Sequence, residues 1–352
     1  MSVLSVLPRP IVAAPMAGGP STPALAAAVS AAGGLGFLAA GMISADRLAA
    51  DVAEVRTRTD RPFGVNVFLP DASGGGAVDE AAVRAYAERL APEARRHGVT
   101  LGEPVGGDDA YPEKLAALLA DPVPVVSFVF GLPDRAAVAA LRERGTEVWA
   151  TVTSPDAASE AVGLGVDAVV VQGTEAGGHR GGLPDDDDYG VLSLLRLVAA
   201  RCDRPLVAAG GIADGAGVAA VLTAGAAAAQ VGTAFLRCPE AGTSPMHRAA
   251  VAGTAPTALT RAFTGKRARG VVNDFLRRHD GSAPVGYPQV LHLTRPLLAA
   301  AKGSGDASVA NLWAGQAHAL ATETPAGDLV AELTAGARAA LTAAVARSGA
   351  WG

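Results

Sequence analysis

The chain is poor in the residues that build several kinds of site. It holds two cysteines, Cys202 and Cys238, and six histidines among 352 residues. Two cysteines make no disulfide framework and lack metal-ligand spacing, and histidines scattered without paired spacing give no zinc signature. No metal site is expected, and a reduced, cytoplasmic setting follows from the same scarcity. Basic residues are also in deficit. Lys+Arg number 29 against 34 Asp+Glu, a net charge of −5. Without a basic stripe to neutralise phosphates, a nucleic-acid partner is excluded.

Unbroken apolar runs are missing as well. Residues 10–45 and 215–236 carry no charge, but Pro15, Pro20, Pro23, Gly33, Gly34, Gly36 and Gly41 interrupt the first. Gly225 and Gly232 bound the alanine-rich run of the second. A lipid-exposed helix does not easily accommodate such breaks, and the first stretch lacks the compact apolar core of a signal peptide. Both read as core of a soluble protein with no membrane partner.

What is present is material for a large core: half the residues are hydrophobic and only 18% are charged. The recurring rhythm is a short apolar run, a Gly or Pro turn, then ten or more residues of helical character, the pattern of parallel strands joined by crossover helices. Eight strands are predicted, at 11–14, 35–39, 64–68, 123–128, 147–151, 168–172, 206–209 and 229–232. Eight is the count that closes a barrel, and the length exceeds the roughly 250 residues of a minimal (β/α)8 TIM barrel. The surplus is placed in two pieces. A rim insertion covers about 71–121, with helices near 80–97 and 112–120. Beyond Phe235 the pattern is read as helix only, with helices at 288–301, 307–322 and 329–347. The expected organisation is therefore a barrel over 1–255 and a mostly helical segment, 256–352, packing on the barrel mouth.

In such a barrel, function sits at the carboxyl ends of the strands. Strand one ends in Ala14-Pro15-Met16-Ala17-Gly18-Gly19, a fixed backbone with little side chain that a flat ring can approach. Asn66 interrupts the apolar third strand, and a buried amide needs partners. Strand six runs into Gln172-Gly173-Thr174-Glu175-Ala176-Gly177-Gly178-His179. Gln172 offers a donor and an acceptor, Gly177 and Gly178 expose backbone N–H groups, and His179 is predicted on a Gly-flanked loop above the mouth. An imidazole there is suited to taking a proton at neutral pH. Strand seven ends in Ala209-Gly210-Gly211 and strand eight in Gln230-Val231-Gly232-Thr233, where this architecture usually holds a phosphate. Asp185–Asp188 is read as a solvated loop, Asp108, Asp109 and Tyr111 as rim surface, and Trp313 as core.

Taken together and in order, the segments PIVAAPMAGG (10–19), GVNVF (64–68), QGTEAGGHRGG (172–182), AAGGIADG (208–215) and QVGTAFL (230–236) resemble the nitronate monooxygenases, formerly 2-nitropropane dioxygenases. LTRPL (293–297) and LWAGQ (312–316) resemble the tail of the bacterial class. The resemblance spans nearly the whole chain. It implies a non-covalent FMN and no metal. Ala14, Pro15 and Met16 would lie against the ring, and Asn66 would bond it. Gln172, Gly177 and Gly178 would contact the ring or its polyol chain. Gly210, Gly211, Gln230, Val231, Gly232 and Thr233 would hold the phosphate. His179 matches the catalytic histidine. The reaction implied is oxidation of an alkyl nitronate, such as propionate 3-nitronate, by O2 to a carbonyl compound with release of nitrite or nitrate.

One position departs. Where such enzymes carry a histidine in the fourth-strand motif, this chain reads Ser127-Phe128-Val129-Phe130-Gly131. Val129, Tyr287 and Gln316 are the expected substrate-pocket residues, Tyr287 being the sole tyrosine of the tail. Two other readings stay open: an NAD(P)H-dependent flavin reductase acting on a quinone or an enoyl thioester, and a phosphate-binding barrel without flavin. The expected assembly is a monomer or homodimer.

Overall fold

The computed structural model describes residues 2–70 and 78–348. The first residues of the expected rim insertion, 71–77, and the last of the tail, 349–352, lie outside that range. Eight parallel strands form the central sheet: β1 (Ile11–Ala13), β2 (Gly36–Ala39), β3 (Phe63–Phe68), β4 (Val125–Val129), β5 (Glu147–Val152), β6 (Ala168–Gln172), β8 (Leu206–Ala209) and β9 (Ala228–Val231). Between β6 and β8 in chain order comes a two-residue strand, β7 (Gly178–His179), which belongs to a second sheet. The ladder runs β1-β9-β8-β6-β5-β4-β3-β2 and closes where Val12 bridges Leu35. It is the expected barrel, with each strand within two residues of its predicted start.

These strands were readable because both faces are buried. Parallel strands covered by helices become continuous Val- and Ala-rich runs rather than alternating ones. One face fills the barrel interior with Val12, Leu35, Phe37, Val125, Trp149 and Val170, each at most 1% exposed. A four-residue helix, α1 (Val3–Val6), closes the amino-terminal end of that interior, tied by Val3 N–H to Glu147 Oε1 at 2.6 Å.

The outer ring consists of α2 (Pro23–Ala31), α3 (Ala45–Arg58), α5 (Tyr111–Ala120), α6 (Arg135–Glu143), α7 (Pro155–Leu164), α8 (Val191–Ala199), α9 (Gly215–Thr223) and, at the end of the chain, α13 (Ala326–Ser348). Side-chain caps begin most of them. Thr22, Ser44, Asp134, Ser154 and Asp214 each accept a backbone N–H from the first turn. Leu329, Val330, Leu333 and Ala337 of α13 are buried in the same core as α9 and α2, so the last helix completes the ring. By length and composition α13 is apolar enough to cross a membrane; its Leu333 face is spent on the barrel.

The remaining elements assemble over the carboxyl end of the strands. They are α4 (Glu80–Arg96), α10 (Pro245–Ala252), α11 (Asp274–His279), α12 (Gln289–Ser304) and two strands, β10 (Thr257–Thr260) and β11 (Ala268–Val271). The two strands correct the helix-only reading of the tail. They pair antiparallel with each other, and β11 pairs onward with β7. Residues 307–322 do not form the predicted helix either; only a short turn at His318–Leu320 is helical. Tertiary hydrogen bonds outweigh local alanine propensity here. Leu312 O accepts from Val271 N–H at 2.8 Å, and Trp313 bridges Gly270, so this stretch lies extended along β11. The rim helix α4 and the tail share a core of Val83, Tyr86, Leu90, Phe263, Phe275, Val290 and Leu297. Two pieces far apart in sequence thus make one cap.

Candidate active site

The carboxyl ends of the barrel strands and the cap enclose a cleft of about 1310 Å³, its mouth included. Its walls gather residues from most of the strand ends. Ala14, Pro15 and Met16 follow β1, Asn66 comes from β3, and Val129 ends β4. Gln172 ends β6 and Gly177, Gly178 and His179 follow it, Gly210 and Gly211 follow β8, and Gln230 lies in β9 with Gly232 and Thr233 just beyond it. Tyr287 comes from the cap. Two sequence candidates stay out. Val231 is fully buried, facing the packed layer behind the strand, because alternate residues of a strand face opposite ways. Gln316 is exposed; its backbone N–H bonds Glu175 O at 3.0 Å, while its neighbours Trp313 and Gly315 line the cleft instead.

One end of the cleft suits an anionic group. Gly210 and Gly211 have φ of +116° and +69°, left-handed backbone that glycine adopts without penalty. Side chains there would press on Gly173 O and Glu175 Cβ, each at 3.1 Å. Thr233 opens a short 3-10 turn, Thr233–Arg237. Its hydroxyl oxygen accepts from Gly315 N–H at 3.0 Å, which leaves its proton free to donate. Glycine turns after the seventh and eighth barrel strands, here β8 and β9, with a short helical start, are the phosphate pocket of this architecture.

The middle of the cleft suits a flat polar ring. Asn66 is 3% exposed and donates both amide hydrogens to Ser127, to Oγ at 2.9 Å and O at 3.2 Å. Its carbonyl oxygen remains as an acceptor. Gln172 is used mainly to fold its own loop. Its amide donates to His179 O at 3.1 Å, and its oxygen accepts from Gly181 N–H at 2.8 Å. One N–H of Gln172 is left for a ligand. Arg180, 1% exposed, braces the same loop from beneath by donating to Gly173 O at 2.7 Å and Gln172 O at 3.2 Å. Burial lowers its guanidinium to about 10, so it keeps its charge at neutral pH.

His179 is not on an open loop, as the sequence suggested. It is a rung of the cap's sheet, opposite Ala268 of β11. Its ring is half-buried among Phe130, Tyr287 and Trp313, with centroid distances of 5.6, 5.7 and 5.5 Å. Nε2 lies 2.9 Å from Thr264 Oγ1. Phe130 holds a left-handed φ of +71°, with its N–H fixed to Gly181 O at 2.7 Å. Non-glycine residues in that region carry strain and cluster at functional sites. Burial pushes the His179 pKa down to about 3, aided by the nearby Lys266 charge and opposed by Asp185. The imidazole is neutral at physiological pH, with a lone pair to offer.

Several contributors escaped the sequence reading. Lys266 is 2% exposed, donates to Gly182 O at 3.2 Å and sits 5.1 Å from the centre of the Phe130 ring. Burial lowers it to about 8, with Asp185 opposing. Asp185, expected in a solvated loop, is half-buried. It accepts from Arg267 N–H at 2.7 Å and from Arg261, with Lys266 Nζ at 4.0 Å. Burial raises its carboxyl, but those partners outweigh it and the net shift is downward. Asp109, expected as surface, accepts from Met42 N–H and from the fully buried Lys114 Nζ at 2.7 Å, fixing a methionine at the mouth of the cleft. His247 also lines the cleft, its Nε2 2.7 Å from Trp313 O. A turn lysine or a rim aspartate has no periodicity to betray it.

A glycine-built end suited to an anion, a buried amide and a neutral imidazole, gathered at the mouth of a (β/α)8 barrel, fit the class of enzymes that work with a phosphate-bearing cofactor. The family is shown by comparison: residues 2–336 match the nitronate monooxygenase family model, and the chain belongs to that family. It is similar to a nitronate monooxygenase of Pseudomonas aeruginosa, 43% identical over 341 residues that cover 92% of this chain and 95% of that one. Its structure resembles a nitroalkane oxidase from Streptomyces ansochromogenes, at 51% identity and a TM-score of 0.93, covering 97% and 99% of the two chains. FabK from Thermotoga maritima is more distant, at 28% identity and a TM-score of 0.78, covering 98% and 97%. The family is a flavin-dependent group of oxidoreductases acting on small molecules with O2.

Proposed function

We propose that this enzyme binds FMN and oxidises alkyl nitronates, such as propionate 3-nitronate, with O2 to carbonyl compounds, releasing nitrite or nitrate. The observation that carries the reading is the neutral His179, caged by three aromatic rings beside a glycine-built nucleotide cleft. Gly210, Gly211, Gly232 and Thr233 would hold the phosphate, Asn66 and the remaining N–H of Gln172 the polar edge of the ring, and Pro15 and Met16 one face. When bound, FMN supplies the electron acceptance and the reaction with O2 that no side chain here can provide.

The protein's own part is proton handling and exclusion of water. With a neutral nitroalkane, His179 removes the acidic α-proton. With a nitronate already formed, it orients the anion. Val129 at the end of β4 gives an apolar wall rather than a polar contact, so the anion relies on His179 and the buried Lys266 charge behind Phe130. We place the enzyme in the cytoplasm, soluble, as a monomer or homodimer.

Oxygen consumption on adding propionate 3-nitronate to the yellow holoenzyme tests this directly. Uptake with release of nitrite or nitrate is expected; no turnover of any nitronate would refute the assignment. Rapid anaerobic bleaching by NADH or NADPH would favour a reductase instead.

A further inference from the structure

We infer that Thr264 is a positioning residue that sets the tautomer of His179, so that Nδ1 is the atom that takes the substrate's α-proton. The inference deepens the reading of His179 as the base and rests on it. It begins with hydrogen counting. The Thr264 hydroxyl is 2% exposed and has one proton to give and two lone pairs to receive with. Three groups surround it: His179 Nε2 at 2.9 Å, the Lys266 carbonyl at 3.2 Å and the Lys266 N–H at 3.5 Å. A carbonyl can only accept, so the hydroxyl proton goes to Lys266 O. The lone pairs then receive Lys266 N–H and His179 Nε2, and Nε2 must carry hydrogen. All groups are satisfied in this arrangement. In the opposite one the Lys266 carbonyl loses its hydroxyl donor in a buried place, where an unpaired acceptor is penalised.

With Nε2–H donated backwards into the cap, the lone pair of neutral His179 is on Nδ1. That atom makes no hydrogen bond among the described residues, and His179 lines the cleft. The aromatic rings fix the tilt of the imidazole but cannot choose between its nitrogens; Thr264 can. Its own place is rigid. Thr264 N–H bonds Arg261 O at 3.2 Å, and the neighbouring Lys266 side chain is anchored to Gly182 O. In the proton transfer the Cα–H bond of the nitroalkane breaks, its electron pair moves onto the nitro group as the nitronate, and the proton forms the new Nδ1–H. The resulting imidazolium keeps its Nε2–H on Thr264 without turning.

Two-dimensional 15N NMR of histidine-labelled holoenzyme reads the tautomer without reference to turnover. The His179 signal should be that of an Nε2–H imidazole in the wild type and in Thr264→Ser, and should lose that preference in Thr264→Val. With a neutral nitroalkane, kcat/KM of Thr264→Val should fall roughly 10- to 100-fold, as expected of a misaimed base. The fall should be in kcat rather than KM and smaller with a pre-formed nitronate, and Thr264→Ser should recover it. An Nδ1–H signal in the wild type, or a tautomer unchanged in Thr264→Val, would overturn the inference. Failure of the wild type to turn over any nitro compound would instead remove the functional reading, with the NMR signal still deciding the tautomer.

Discussion

At the scale of single residues, the site works by withholding charge from an imidazole. Burial and Lys266 both hold His179 neutral far below the ordinary 6.5, so the proposed base is in its working form across the neutral range. The acid limb of kcat/KM for a nitroalkane should therefore lie well below pH 6. Replacing Lys266 with Met removes a positive neighbour, so the His179 pKa rises and that limb moves to higher pH, while burial keeps it under 6.5. A pH–rate profile that does not move would show that the Lys266 field is not felt at the ring. His179→Asn should lower kcat/KM on nitroalkanes by roughly 10²–10⁴-fold, the usual contribution of general base catalysis, while the protein keeps its flavin absorbance. These roles were only partly legible in sequence. A histidine after a glycine run stands out, whereas Thr264 and Lys266 look like any turn, since what distinguishes them is contact with residues 85 and 84 positions away.

Among elements, the eight barrel strands were readable and the cap was not, for a physical reason. Barrel strands bury both faces and so appear as Val- and Ala-rich runs punctuated by Gly and Pro. The cap strands break that pattern: β10 is only partly buried, and β11, though buried along its whole length, is not a Val and Ala run. β11 contains Arg269, whose buried side chain donates to Thr174 O at 2.8 Å, and nothing local marks a charged residue as a sheet interior. The helix wrongly read at 307–322 has good helical composition, but its backbone is taken up by β11. The close approach of that segment to the loop after β6 depends on Gly177, where an added Cβ would lie 2.5 Å from Gly315 N. Gly177→Ala should push the two apart, at a cost of about 1–3 kcal/mol for overpacking. Flavin release on dilution, followed by fluorescence, should be faster than in the wild type, with the thermal midpoint lowered as well.

For the whole molecule, the sequence's order conceals which parts belong together. The last helix belongs to the barrel wall and the early rim helix to the cap. Leu333→Ala on α13 should cost about 2–5 kcal/mol in urea unfolding, as for other buried leucines, without altering KM, because it lies on the outer ring. His179 also leaves a mark on acid stability. The unfolded chain binds its proton near 6.5 and the folded chain only near 3. Its contribution is thus complete above pH 6.5 and is lost progressively as pH falls from 6.5 towards 3. Between pH 7 and pH 5 the wild type should lose more stability than His179→Asn.

The rung that joins Gly178 and His179 to Ala268 and Arg269 of β11 has a mechanical corollary. The imidazole is clamped from two sides, by the cap through β11 and Thr264 and by the barrel through Gln172, whose amide donates to His179 O at 3.1 Å. Cap and barrel therefore cannot shift against each other without straining the short loop that bears it.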